Sequence, residues 1–166
     1  MLALLPDCAI LAVRAIRPLA AIRRSRGDAP SDGCAAMDGV LAEALDAMDE
    51  GRAFISARDS GDSASSVTAW SSFVIAFASE YRNDMASAAM DDTATEALDA
   101  LDSYTAALTL LSNPTVSEFA DPAQAEANIK MGREPQRDPE YAAAVDAVNS
   151  SHITLSQCLP HWPILF

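Results

Sequence analysis

The sequence predicts an all-α protein, a single bundle of four to five helices with a separable amphipathic basic N-terminal segment. Two observations predict this class: Ala is abundant while Gly occurs only six times in 166 residues, and apolar residues recur at steps of three and four over long stretches. Ala is the best helix former but buries little surface. We therefore expect a thin core in which the helices approach closely.

Three regions are expected along the chain. Residues 1–33 form a basic, apolar segment and linker, residues 34–159 form the helical bundle, and residues 160–166 form an apolar tail. The bundle is long enough to bury a core as one domain. Trp162, Ile164, Leu165 and Phe166 of the tail are expected to fold back over an open end of the bundle, because they would otherwise form an exposed apolar patch.

The first half of the bundle is predicted to contain two long helices. The first covers residues 35–58, with Gly51 weakening its middle. The second covers residues 64–90 and contains "SVTAWSSFVIAFASEYRND", which holds four of the ten aromatic residues. These aromatics recur on one helix face, so they are predicted to pack in the protein's own core, with a groove for a partner helix as the alternative.

The second half is predicted to contain three helices. One covers residues 92–111 and ends before Asn113-Pro114. "DPAQ" and "DPEY" each place a favoured N-cap Asp before a Pro, which fits the first helical turn. A short helix that stops near Gly132 and a last helix at residues 139–159 should follow them. The predicted core residues are Val67, Trp70, Phe73, Val74, Phe77, Tyr81, Leu98, Leu101, Leu108, Val145, Val148 and Leu155.

The N-terminal segment differs in charge from the rest. Residues 1–26 carry five Arg and one Asp, and drawn as a helix they have a basic side and an apolar side. Such a helix can lie on a membrane surface or target an organelle, and its predicted membrane-surface residues are Arg14, Arg17, Arg23 and Arg24. Two alternatives stay open: translation starts at Met37 and the segment is dispensable, or the segment belongs to the fold.

The remainder of the chain is strongly acidic. Residues 27–166 carry six Lys and Arg against 23 Asp and Glu, so they would repel nucleic acid, which is not an expected partner. A basic protein is the partner that this charge suits. The predicted partner-binding residues lie at i, i+3 spacing and are Glu43, Asp46, Asp49, Glu96, Asp99 and Asp102. A GC-rich genome or salt adaptation would give the same acidity without a partner.

The three cysteines, Cys8, Cys34 and Cys158, have unrelated spacings. No disulfide framework follows from an odd number at such spacings, so a reducing compartment is the default expectation. The expected location is therefore cytoplasmic, with peripheral membrane contact through the N-terminus as an addition. The oligomeric state is left open.

Chemical motifs are sparse, and no cofactor or metal is predicted. His152, Cys158 and His161 are metal-ligand types close in sequence, but a structural zinc site needs a fourth ligand. Neither His lies in a nucleophile motif, and no Gly-rich phosphate loop occurs. The sequence therefore favours a non-enzymatic protein over an enzyme.

One short stretch resembles a known family. "EYRNDMAS", residues 80–87, is similar to the helical Arg-Asn-x-x-x-His signature of the HEPN ribonuclease-like domains, with Arg82 and Asn83 matching. Ser87 stands at the position of the catalytic His. The resemblance covers eight residues and implies an inactive or divergent relative of that helical fold.

Three functions are consistent with these features. The favoured one is an acidic, non-enzymatic binding module for a basic protein, of the immunity, antitoxin or regulatory type. The alternatives are a membrane-surface protein docked by residues 1–26 and a divergent HEPN-like bundle.

Overall fold

The computed structural model describes residues 29–163, and this range is all-helical. It contains no strand, and its isolated β-bridge joins Phe119 and Arg137 in antiparallel fashion. The all-α class predicted from the sequence is thus confirmed for the described range. Its helices are α1 (Asp32–Ala47), α2 (Asp49–Asp59), α3 (Ser63–Glu80), α4 (Arg82–Ala88), α5 (Asp92–Leu111), α6 (Pro122–Lys130) and α7 (Pro139–Cys158).

Aspartates cap four of these helices, and the two Asp-Pro motifs predict this for α6 and α7. The Asp121 carboxylate accepts hydrogen bonds from the backbone N–H groups of Ala123 and Gln124, and Asp138 caps α7 in the same way. Asp62 caps α3. Asp91 caps α5 and also accepts from the N–H of Gly33, so that one carboxylate holds the starts of α5 and α1 together. These bonds satisfy donors that have no partner inside the helix.

The predicted first helix is two helices, because the chain is extended at Met48, where ψ is 146°. Gly51 lies in the first turn of α2 against the end of α1. A Cβ built on Gly51 would lie 2.4 Å from the Leu45 carbonyl oxygen. Gly51 therefore permits a close backbone contact at a corner, and it does not weaken the middle of one long helix as the sequence suggested.

Gly51→Ala is expected to lower the free energy of unfolding by about 1–3 kcal/mol, since the new methyl group would force the two backbones apart. Gly39→Ala is the matched control: Gly39 lies in α1 with nothing within 4 Å of a built Cβ. There, Ala should stabilise the helix by about 0.5–1 kcal/mol. Urea unfolding of both variants measures the difference, and equal midpoints for the two would contradict the proposed contact.

The predicted second helix is also divided, at Tyr81, where φ is −103° and ψ is 13°. The division separates α3 from the short α4 and turns the chain toward α1, which α4 contacts. The third, fourth and fifth predicted helices correspond to α5, α6 and α7. Of these, α5 has the predicted bounds, and α5 and α7 form the most extensive helix pair in the described range.

The aromatic stretch of α3 packs inside the protein. Trp70 is 1% exposed, its ring centroid lies 4.9 Å from those of Phe54 and Trp162, and its Nε1 donates to the Tyr104 hydroxyl at 3.3 Å. Burial raises the pKa of Tyr104 to about 12. Ten of the twelve residues proposed for the core are buried, while Val67 and Tyr81 are half-buried.

The C-terminal tail reaches the core through Trp162, which is 2% exposed. Its ring meets those of Trp70 and Tyr104 edge to face. Its Nε1 donates to His152 Nδ1 at 3.1 Å. The other tail residues proposed to fold back, residues 164–166, lie outside the described range.

A disulfide joins Cys34 at the start of α1 to Cys158 at the end of α7, and the two Cα atoms lie 5.0 Å apart. Both cysteines are buried. The spacing of the cysteines did not indicate this bond, because their pairing depends on packing between the start of α1 and the end of α7. Disulfides are rare in the cytosol, so the cysteines no longer support a cytoplasmic location.

Within residues 29–163, no helix combines the length and apolar character needed to cross a membrane.

Candidate functional site

The carboxylates proposed to bind a partner lie on three helices. Glu43 and Asp46 are exposed on α1, and Glu96 and Asp99 are exposed on α5. α1 and α5 contact each other. The break at Met48 places Asp49 on α2, so it does not extend the α1 face as the i, i+3 spacing implied.

Two of these six carboxylates already have cationic partners. Asp49 forms a salt bridge with Arg52, and the Asp102 Oδ2 lies 2.7 Å from an Arg82 guanidinium nitrogen. The other four form no salt bridge within the described range. They are the part of the predicted site that is free to meet an external cation.

Intramolecular ion pairs also engage most cations of the bundle. Residues 29–163 contain six Lys and Arg against 22 Asp and Glu. Five of those six cations form salt bridges within this range: Arg52–Asp49, Arg58–Asp59, Arg82–Asp102, Lys130–Glu126 and Arg137–Glu118. Lys130 lowers the pKa of Glu126 through a hydrogen bond and its charge. Most carboxylates are left uncompensated.

A shallow groove of about 560 Å³ runs between α1 and α4 and carries two of the uncompensated carboxylates, Glu43 and Asp84. Val40 and Ala88 contribute half-buried apolar surface to it, and Met90 is 69% exposed. We call this feature the α1–α4 groove; its lining residues are Ala36, Val40, Glu43, Tyr81, Asp84, Ser87, Ala88 and Met90. A groove with apolar sides and two acids suits an amphipathic basic segment.

The residues that carry the ribonuclease-like resemblance lie at the start of α4. Arg82 is held by Asp102, Asn83 is exposed, and the Ser87 hydroxyl donates to the Asn83 carbonyl oxygen at 2.8 Å. Ser87 offers no general base where the family has His. The two histidines of the chain form their hydrogen bonds with Asp38 and Trp162, away from α4.

His152 and His161 each have a separate partner at the C-terminal end. The backbone N–H of His161 donates to Asp38 Oδ1 at 2.8 Å, and the ring Nδ1 of His161 lies 2.7 Å from Asp38 Oδ2. Burial lowers the pKa of His152, which favours the neutral ring that accepts from Trp162. Asp38 is buried, and this double contact satisfies both oxygens of its carboxylate.

No metal site forms from these groups. Cys158 is committed to the disulfide, and within residues 29–163 no three His, Cys, Asp or Glu side chains are placed to hold a metal ion. Arg14, Arg17, Arg23 and Arg24, the predicted membrane-surface residues, lie outside the described range.

Three features of the described range were not predicted from the sequence: the α1–α4 groove, the Asp38–His161 contact and the disulfide. The α1–α4 groove requires the chain to turn at Tyr81, and no Pro or Gly marks that position. The Asp38–His161 contact joins residues 123 apart, and the disulfide joins residues 124 apart. A signal for either pairing would have required knowing that the start of α1 meets the end of α7.

Comparison of the chain with models of known protein families, with curated proteins and with solved structures finds no match.

Proposed function

We propose that the helical bundle is a non-enzymatic binding module that engages a basic protein through its acidic surface. The module would be of the immunity, antitoxin or regulatory type. The observation that supports this proposal most is the charge balance of the described residues. They contain 22 Asp and Glu but only six Lys and Arg, and five of those six cations are already in salt bridges.

The arrangement of helices supports the same proposal. The four longest helices, α1, α3, α5 and α7, contain no Lys or Arg. Two cations from other helices reach these surfaces: Arg52 donates to the Asp46 and Ala47 carbonyl oxygens at the end of α1, and Arg82 pairs with Asp102 of α5. The other carboxylates of α1 and α5 form no salt bridge with Lys or Arg in the described range. Complementary charge of this kind accelerates association and makes it sensitive to salt.

The contact surface that we propose centres on Glu43 and Asp46 of α1 and on Glu96 and Asp99 of α5. These four side chains are exposed and form no salt bridge in the described range. Exposed carboxylates are already hydrated, so pairing them with Lys or Arg at the rim of an interface contributes about 0.2–1 kcal/mol each. The surface should thus select partners by charge and affect rate and salt dependence most strongly.

The test is affinity capture from the native host's lysate with the full chain as bait, at low and at high salt. A basic protein retained in stoichiometric amount and released by salt is expected. Neutralising the surface with Glu43→Gln, Asp46→Asn, Glu96→Gln and Asp99→Asn should weaken binding of that purified partner by about 10- to 100-fold. The readout is the dissociation constant at fixed ionic strength.

A matched variant separates this surface from net charge. Asp59→Asn, Glu134→Gln, Glu140→Gln and Asp146→Asn remove four exposed carboxylates elsewhere in the bundle. If both quadruple variants lose affinity equally, the charge acts as a diffuse field and the proposed surface is wrong. If no basic protein is retained at all, the binding-module proposal fails.

A second candidate function uses the N-terminal segment. Residues 1–26 carry five Arg and one Asp, opposite in sign to the bundle, and basic amphipathic segments bind anionic lipid surfaces. In the same capture experiment, recovery of the chain with sedimented membranes instead of a basic protein would favour this candidate. Replacing Arg14, Arg17, Arg23 and Arg24 with Gln would then release it.

A further inference from the structure

The exposed large hydrophobic side chains of the described bundle lie in two places. Among residues 29–163, the large hydrophobic side chains that are exposed are Met90, Ile129 and Met131, at 69%, 57% and 58%. Met90 lies in the α1–α4 groove, and the other two lie at the end of α6. These two surfaces carry charges of opposite sign.

The α1–α4 groove is the acidic surface. Glu43 and Asp84 are exposed there, and neither side chain forms a salt bridge in the described range. The residues that line the groove include no Lys or Arg. An incoming group with one apolar side chain and one or two cations would cover Met90 and pair both carboxylates.

The end of α6 is the basic surface, and we call residues 129–137 the basic tip. It holds half of the six cations of the described range, namely Lys130, Arg133 and Arg137, against the single exposed carboxylate of Glu134. Gly132 has a φ of +68°, and the Arg133 N–H donates to the Asn128 carbonyl oxygen at 2.8 Å, which closes the helix. Helix α6 has few contacts with the other helices, so the tip is accessible.

The cations of the tip are only weakly engaged. Lys130 pairs with Glu126 one turn away while both side chains stay about 70% exposed, and Arg137 lies 3.7 Å from Glu118. The exposed Lys130–Glu126 pair contributes little, so exchanging Glu126 for another carboxylate costs little. The Glu118 side chain is only 18% exposed, so Arg137 stays with it. Arg133 forms no salt bridge within the described range.

We propose that the basic tip of one copy docks in the α1–α4 groove of a second copy of this chain. Ile129 and Met131 cover Met90, while Lys130 and Arg133 meet Glu43 and Asp84. The two surfaces differ, so the contact is head to tail, and a pair of copies still has one free tip and one free groove for further copies. The net charge of −13 on each copy opposes association, so the contact is weak and depends on concentration.

Sedimentation equilibrium of the full chain over a wide concentration range is the test. The weight-average mass is expected to rise with concentration and to continue past the dimer. Lys130→Glu with Arg133→Glu should abolish the rise, and so should Glu43→Lys with Asp84→Lys. Each loss corresponds to at least a tenfold weaker contact.

Mixing the tip variant with the groove variant is the decisive experiment. The tip variant retains an acidic groove and the groove variant retains a basic tip, so the two variants together should associate although neither does so alone. Asp59→Lys with Asp146→Lys, which changes net charge as much as the groove variant but outside it, should still self-associate. This test does not depend on the basic protein partner proposed above.

Three outcomes would overturn the proposal. A wild-type mass that stays at the monomer value at every concentration excludes a second copy as the occupant of the groove. A rise that survives both charge reversals, or a mixture that stays monomeric, places the contact elsewhere on the surface. Far-UV circular dichroism of each variant confirms that the helices are intact.

Discussion

Reduction of the Cys34–Cys158 disulfide is expected to lower the free energy of unfolding by about 4–5 kcal/mol. The bond joins residues separated by 124 positions, and a cross-link closing so long a loop removes many conformations from the unfolded chain. A domain of this size is stable by only about 5–15 kcal/mol. The reduced protein should therefore stay folded only marginally.

Urea unfolding of oxidised and reduced protein measures this difference. The m-value should also rise on reduction, because the unfolded chain without the cross-link exposes more surface. Cys34→Ala with Cys158→Ala should reproduce the reduced protein, whereas Cys8→Ala should retain the full gap between oxidised and reduced forms. Equal midpoints for the two forms would contradict a bond between Cys34 and Cys158.

The features that the sequence predicted well are those with local causes. Helix α5 begins and ends at the predicted residues because an Asp cap precedes it and Asn113-Pro114 follows it. The Asp121 and Asp138 caps follow from two residues of sequence each. The burial of Trp70 follows from apolar spacing alone, because a stripe of large side chains at helical periodicity must be covered.

The features that it did not predict arise from packing between distant segments. No Pro marks the break at Met48. The need for Gly51 arises only from the close contact of α2 with the Leu45 backbone, which the sequence does not reveal. That break removes Asp49 from the acidic face predicted for α1. The pairing of Cys34 with Cys158 depends likewise on which helix ends are neighbours, since it joins the start of the bundle to its end.

The acidic surface falls between these two cases. The exposure of Glu43 and Asp46 could be expected from their places opposite the apolar stripe of α1. Their electrostatic effect could not be expected from the sequence, because it depends on where the six cations of the described range lie. Five of those cations pair with other carboxylates, so Glu43, Asp46, Glu96 and Asp99 are left without a salt bridge in the described range.

Trp162→Ala is expected to lower the free energy of unfolding by about 3–5 kcal/mol, although Trp162 follows the last helix. Its ring is 2% exposed and meets Trp70 and Tyr104 at centroid distances of 4.9 and 5.2 Å. Truncation would leave a cavity beside both rings. It would also remove the donor to His152 Nδ1, whose partly buried ring would lose its hydrogen bond.

Trp162→Phe separates these two contributions. Phe retains an aromatic ring against Trp70 and Tyr104 but has no N–H for His152, so its cost should be smaller, about 1–3 kcal/mol. Thermal and urea unfolding of both variants, with the disulfide intact, provide the measurement. If Trp162→Ala unfolds at the wild-type midpoint, the turn after α7 does not contribute to the core. A loss of the expected size means that the core extends past α7 to the turn that carries Trp162.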